Sequence, residues 1–230
     1  MKAILFDLDN TLYEYAPCHK AALDAAHREL SKTSDVSFDD FRSTHDRVRR
    51  EIADELRGQA ASRNRILFFK RIVESFLDSA AVSVAIDLFD AYWKEFFATM
   101  RPADQAHQVL AKLSGDYPLA LVTNHTTDIQ LRKIRELEFE KYFVAIVTSE
   151  EAGSEKPDRR IFDRALKHLN VAPGDAVMIG DDPQRDIHGA AQLGISTIHT
   201  RQFTTLDDFP SPPDRVVESL SEIVAVVGTM

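Results

Sequence analysis

Apolar positions along this chain change their rhythm. The run Ala3–Phe6 has the length and unbroken apolar character of a strand buried on both faces. From Pro17 to about Met100 no such run recurs. Apolar residues instead return every three or four positions: Ala21, Ala22, Ala25, Ala26; Phe41, Val48, Ile52, Leu56; Ile66, Leu67, Phe69, Ile72, Val73, Phe76; Val84, Leu88, Tyr92, Phe96. One face of a helix requires that spacing. Ser37 and Asp40 resemble a capping box before the second helical stretch.

Beyond Ala103 apolar runs alternate with helical patterns. Strands are predicted over residues 118–122, 144–147 and 176–179, with weaker ones over 196–199 and 215–217. Helices are predicted over 127–137, 159–169, 185–193 and 220–227. Residues 204–214, with Pro210, Pro212 and Pro213, read as a surface loop. Strand-helix alternation predicts a parallel sheet covered on both faces. The fold class is therefore α/β, with a core built from residues 1–14 and 101–230 and an all-helical domain, residues 15–100, inserted after the first strand.

Composition narrows the function. The 230 residues include 28 Lys and Arg against 37 Asp and Glu, a formal net charge of −9. Nucleic-acid or anionic-membrane binding needs a basic field, so neither is expected. A small phosphorylated substrate stays compatible, because a site can be locally positive. The lone cysteine, Cys18, excludes an intramolecular disulfide and starves a thiolate zinc site. No stretch approaches the roughly 20 apolar residues of a membrane span, and the start lacks the long apolar region of a signal peptide. A cytoplasmic setting is expected.

In open parallel sheets ligands bind beyond the carboxyl ends of the strands. After the first strand comes Asp7-Leu8-Asp9-Asn10-Thr11; after the second, Thr123-Asn124-His125; after the third, Thr148 and Ser149, then Lys156-Pro157; after the fourth, Gly180-Asp181-Asp182, then Asp186. Carboxylates, a hydroxyl and an ammonium thus collect at one sheet edge.

These four segments in this order resemble the haloacid dehalogenase superfamily of phosphohydrolases: Asp7, Asp9 and Thr11 match its first motif, Thr123 its second, Lys156 its third, and Gly180, Asp181 and Asp186 its fourth. The resemblance spans essentially the whole chain. It implies a Rossmann-like core, and the insertion matches the family's helical C1-type cap, which opens to admit substrate and closes to exclude water. It also implies a phosphatase acting through an aspartyl-phosphate on Asp7. Alternate residues of an extended segment share a side, so Asp9 can approach the same centre. Two nearby carboxylates raise one pKa, which suits Asp9 as the acid that protonates the leaving alkoxide and then as the base on water. A cation opposes that rise, so the protonation of Asp9 stays open.

Several carboxylates would repel a dianionic phosphate unless a divalent cation intervenes. The resemblance implies Mg²⁺, held by the Asp7 carboxylate, the Asp9 backbone carbonyl and the Asp181 carboxylate. Asp182 is an alternative to Asp181. Thr11, Asp182 and Asp186 surround these ligands, Asp186 orienting the water shell or pairing with Lys156. Thr123, with backbone N–H groups of Leu8, Asp9 and Asn124, would hold the phosphoryl oxygens, and Lys156 would neutralise charge.

Weaker signals concern specificity. Tyr13, Tyr15 and His19 precede or open the insertion, and Arg63 and Arg65 end a loop at 58–65; the two arginines read first as a solvated helix start. His125 is either a pocket residue or a surface one. Cys18 reads as a small buried filler, and Trp93 with Phe68, Phe69 and Phe76 as core. Arg47-Val48-Arg49-Arg50 reads as a solvated face. Rival readings are a phosphomutase similar to β-phosphoglucomutase, which keeps both aspartates; a dehalogenase, which lacks the second; and a non-catalytic module on this fold.

Overall fold

A computed structural model describes residues 1–77 and 79–230. The chain divides into two compact units. One comprises Met1–Glu14, Gly58–Ala60 and Arg101–Met230; the other comprises Tyr15–Arg57 and Ala61–Met100. Gly58–Ala60 departs from the expected boundaries for a visible reason: the Gly58 carbonyl accepts the N–H of Glu155 at 3.0 Å.

The second unit is helical: α1 (Tyr15–Leu30), α2 (Phe38–Glu55), α3 (Arg65–Leu77) and α4 (Val82–Thr99). Ser37 caps α2, its hydroxyl accepting from the Asp40 N–H at 3.1 Å. α1 buries Ala22, Ala25 and Ala26, small side chains that let α4 pack closely along it. α4 answers with Leu88, Tyr92, Trp93 and Phe96. Tyr92 lies within 6.0 Å, centroid to centroid, of both Phe69 and Phe96, a cluster that dominates this core through its large buried area.

In the other unit six strands form one parallel sheet: β1 (Ala3–Phe6), β2 (Leu119–Thr123), β3 (Ala145–Thr148), β4 (Ala176–Gly180), β5 (Ser196–Thr200) and β6 (Arg215–Val217), in the spatial order β3-β2-β1-β4-β5-β6. Helices α5 (Ala106–Asp116), α6 (Thr127–Glu136), α7 (Ser149–Ala152), α8 (Arg159–Leu169), α9 (Gly189–Ala191) and α10 (Ile223–Val227) connect or follow them. The expected strands are present within a residue at each end. α8 packs Ile161, Phe162, Ala165 and Leu166 onto Leu5, Val122, Val147 and Met178.

The sheet order defines where a ligand fits. After β1 the chain builds β2 and β3 to one side, then returns to place β4 on the other side. Loops leaving β1, β2 and β4 therefore diverge around the end of β1, the crevice such sheets use for binding.

Four helical segments differ from expectation, one of them the short α7 that follows β3. α5 is additional; its Ala106, Val109, Leu110 and Leu113 carry an ordinary three-four spacing. The segment expected as a helix over 185–193 starts earlier, with a wide π-type turn at Pro183–His188 before the short α9. There the Asp182 carbonyl accepts from both Asp186 N (3.0 Å) and Ile187 N (3.2 Å), which widens the turn. The C-terminal helix opens with a tight turn, Leu220–Glu222, under a Ser219–Glu222 capping box.

Candidate active site

Strand register brings the motif residues to one edge. Phe6 is level with Leu121 on β2 and Ile179 on β4. Asp7, one step on, donates its N–H to the Ile179 carbonyl at 2.9 Å, so Asp7 leaves the sheet beside Gly180 and Asp181. Thr123 closes β2 opposite Thr148 of β3.

Lys156 organises the first group of side chains. Its ammonium, 2 % exposed, donates to Asp7 Oδ1 at 2.5 Å, Asp186 Oδ1 at 2.6 Å and the Val122 carbonyl at 2.7 Å. Three acceptors for three donors satisfy a charge that burial would otherwise make costly. Burial works against that charge, but Asp186 and then Asp7 outweigh it, so Lys156 is held above the ordinary lysine range. Asn124 fixes the loop beneath it: its side-chain amide donates to the Lys156 carbonyl (3.1 Å) and accepts the Lys156 N–H (2.8 Å).

Both oxygens of Asp186 are engaged, the second accepting from the Asp182 N–H at 3.1 Å. Gly180 is required here, because a Cβ on it would lie 2.6 Å from the Asp186 Cβ. Thr11 reaches Asp181 Oδ1 at 3.4 Å and Asp7 Oδ2 at 3.5 Å. Asp182, the alternative ligand, points elsewhere: it caps the π-type turn through the N–H groups of Gln184 and Arg185 and pairs with the Arg185 guanidinium at 2.7 Å.

Carboxylate oxygens of Asp7, Asp181 and Asp186 lie within 4.8 Å of one another, all on buried residues. Burial pushes the Asp7 carboxyl up to about 7; Lys156 opposes the rise and Asp186 adds to it. Burial likewise raises Asp181, with Asp7 and Asp186 adding repulsion. Three carboxylates thus face one ammonium, and the excess charge is uncompensated. A hard divalent cation fits this donor set, which is oxygen only; each oxygen of Asp7 and of Asp186 already accepts one hydrogen bond and keeps a lone pair, and Asp181 is the least engaged of the three.

Asp9 lies in the opposite electrostatic setting. Its Oδ1 accepts from the Lys133 ammonium at 2.6 Å and from the Tyr13 hydroxyl, and its Oδ2 from the Gln130 amide at 3.0 Å. Burial would raise the Asp9 carboxyl, but Lys133 first and Tyr13 next overcome it and hold it well below the usual range. The carboxylates two residues apart are split, as like charges require, yet the raised member is Asp7 and not Asp9. The reason is a buried lysine that the sequence reading did not include.

Gln130 also donates to the Thr123 hydroxyl. Lys133 and Gln130 were both missed; on a helix reading Gln130-Leu131-Arg132-Lys133 they look solvated, and only the three-residue spacing, which puts them on one face, hinted at a shared role. His125 is buried rather than a surface residue, its Nδ1 taking the Thr126 N–H at 2.8 Å.

Other candidates fall in the helical unit. Arg65 is buried rather than solvated: it donates to the Tyr15 hydroxyl at 2.6 Å and lies 4.8 Å from the centre of the Phe68 ring. His19 stacks on Tyr15 and bonds the Tyr92 hydroxyl at 2.7 Å. Cys18 is buried. Arg49 and Arg50 are exposed and Val48 is buried. Among the described residues no helix is long and apolar enough to cross a membrane.

Comparison with known proteins agrees with this geometry. Residues 4–200 match the sequence profile of the haloacid dehalogenase-like hydrolases. A ribulose-1,5-bisphosphate 5-phosphatase from Halopiger xanaduensis is 38% identical over 85% of this chain and 83% of its own. A glyceraldehyde 3-phosphate phosphatase from Methanothermobacter thermautotrophicus is 32% identical over 86% of this chain and 84% of its own. A crystal structure of a 2-haloacid dehalogenase from Pseudomonas syringae superposes with a TM-score of 0.78 at 25% identity, over 100% of this chain and 99% of that one.

Proposed function

The chain belongs to the haloacid dehalogenase-like hydrolase family, and from that membership we propose that it is a Mg²⁺-dependent phosphatase of a small phosphate monoester. The observation that carries this reading is Lys156 lodged between Asp7 and Asp186, beside Asp181, at the carboxyl edge where β1 and β4 part.

Asp7 is the nucleophile. Its carboxylate attacks phosphorus, the bond from phosphorus to the leaving oxygen breaks, and an aspartyl-phosphate forms. Asp9, held ionised by Lys133 in the free site, takes up a proton as substrate binds, passes it to the leaving oxygen, and as a carboxylate again takes one from the water that cleaves the acyl phosphate. Thr123 and the N–H groups of Leu8, Asp9 and Asn124 hold the phosphoryl oxygens, and Lys156 neutralises charge on them and on Asp7. The Asp7 and Asp181 carboxylates and the Asp9 carbonyl would hold Mg²⁺, which supplies the positive charge that lets a phosphate approach three carboxylates. Thr11 steadies Asp7 and Asp181, and Asp186 holds Lys156. The helical unit is the family's C1-type cap, where residues that set specificity belong. A dehalogenase reading leaves Asp9 idle, because a departing halide needs no proton.

The test is phosphate release. Purified protein should hydrolyse p-nitrophenyl phosphate with Mg²⁺ and stop with EDTA. Asp7→Asn should cost about 10⁴-fold or more in kcat; a rate equal to wild type would remove the mechanism. The relatives named above make sugar phosphates and short phosphorylated aldehydes the first compounds for a substrate panel, followed by phosphorylated acids and nucleotides. Conversion of a sugar phosphate to its isomer without phosphate release would mark a phosphomutase instead.

A further inference from the structure

Asp9 is held by more than the loop that carries it. A carboxylate has about four acceptor positions, and three are filled: Lys133 and Tyr13 on Oδ1, Gln130 on Oδ2. That fixes the plane of the group and leaves one position for a leaving oxygen or a water. Lys133 has a side-chain exposure of 0 %, and its ammonium is 124 residues distant from Asp9 in sequence yet 2.6 Å away in space. Gln130 is buried, and its Oε1 has no partner. An unsatisfied buried carbonyl costs stability, so the amide is retained for what its NH₂ group holds: the Asp9 carboxylate and the Thr123 hydroxyl.

We propose that Lys133 and Gln130 on α6, with Tyr13, are positioning residues for the phosphatase reaction, Lys133 orienting the Asp9 carboxylate and Gln130 locking that carboxylate to the Thr123 hydroxyl. The proposal rests on the reading of Asp9 and Thr123 given above. Gln130 and Lys133 are three positions apart, so both project from one face of α6, and α6 begins four residues after Thr123 at the end of β2. One rigid helix thereby sets the acid/base group and the phosphoryl-holding hydroxyl in a fixed mutual geometry. Neither residue is assigned a contact with the reacting atoms.

The two residues differ in what they hold, and kinetics separates them. With p-nitrophenyl phosphate and Mg²⁺, Lys133→Met should lower kcat about 100-fold, the scale of a small misplacement, with KM within about twofold of wild type. Gln130→Leu should lower kcat and also raise KM, because Thr123 loses its anchor. Lys133→Arg should recover part of the loss. In an Asp9→Asn background Lys133→Met should add less than about threefold, since both changes act on one unit.

A folded Lys133→Met with wild-type kcat overturns the proposal. So does a loss shared equally between kcat and KM, or one that multiplies with Asp9→Asn. Circular dichroism melts establish folding; if Lys133→Met does not fold, Gln130→Leu decides, and unchanged kcat and KM there overturn it. A wild type without turnover overturns this proposal together with the phosphatase reading. Wild-type turnover with insensitive variants overturns the proposal alone.

Discussion

Two buried lysines stand at the same sheet edge and do opposite things. Lys156 serves two carboxylates in a corner that holds a third, so negative charge is in excess and Asp7 and Asp181 are pushed up. Lys133 serves Asp9, aided by Tyr13 and Gln130, and that carboxylate is held down. The lysines are equally buried, with side-chain exposures of 2 % and 0 %. Asp9 is 25 % exposed, whereas Asp7 is 9 % and Asp186 1 % exposed. The corners therefore differ both in the burial of their carboxylates and in the ratio of carboxylates to cations, and the second sets the sign of the local charge. The first corner is short of positive charge, as a cation site must be, and the second is complete without one.

Removing each lysine should expose the difference. Lys156→Met leaves Asp7 and Asp186 facing each other with no cation, and breaking such buried pairs costs about 3–5 kcal/mol. Lys133→Met leaves Asp9 with Tyr13, Gln130 and partial access to water, so it should cost less. Urea unfolding of both variants measures this, and a larger cost for Lys133→Met would break the comparison. Added Mg²⁺ should stabilise both variants, and Lys156→Met by more, because only there does it also offset carboxylates left without their ammonium.

The pH dependence of Mg²⁺ binding sharpens the same contrast with a smaller effect. Asp7 is raised from 3.8 to about 7. A carboxyl with a raised folded pKa contributes stability that is present below its unfolded value and lost as pH rises through its folded one. Without metal, this corner should therefore destabilise the protein progressively from about pH 4 to above 7. Saturating Mg²⁺ removes that loss; at a hundred times Kd it adds about 2.7 kcal/mol. The gain in Tm on adding Mg²⁺ over EDTA should thus grow from pH 5 to 8. Taking the difference cancels the buried imidazoles of His19 and His45, both lowered chiefly by burial, which act in the opposite direction below pH 6.5. A gain independent of pH would remove the cation from this corner.

The two corners were also unequally legible in the sequence. Asp7 announces itself by following four buried apolar residues, and Gly180-Asp181 by closing another strand, so local patterning locates both. Lys156 follows no strand closely and entered through the order of the four segments. Lys133 offered no such signal. It lies between Arg132 and Arg135 on a helix, where lysine is ordinarily solvated, and only a tertiary contact with Asp9 buries it. The π-type turn at Pro183–His188 was hidden for a similar reason: its width depends on one carbonyl, that of Asp182, accepting twice. Helix α5 needed no tertiary information, since its apolar spacing is plain. What the sequence hides here is pairing across distance, and pairing sets the charge of each corner.

The smallest expected effect tests whether the acidic corner is a fixed frame or an adaptable one. Gly180 lies under the Asp186 side chain, and an added methyl would be 2.6 Å from the Asp186 Cβ. Asp186 cannot swing away freely, because Lys156 holds one oxygen at 2.6 Å and the Asp182 N–H holds the other at 3.1 Å. Gly180→Ala must therefore displace the backbone of β4 or break one of those bonds. Overpacking of this kind costs about 1–3 kcal/mol. If Asp186 yields, Lys156 loses a partner and turnover falls with stability; the Lys133 corner, which shares no bond with Gly180, should keep the kinetic signature of Lys133→Met unchanged. Double variants measure this: Gly180→Ala and Lys133→Met should add in unfolding free energy, as sites that share no partner do to within about 0.5 kcal/mol. Strong coupling between them would mean that the two corners are one network, and the contrast drawn from their charge would fail.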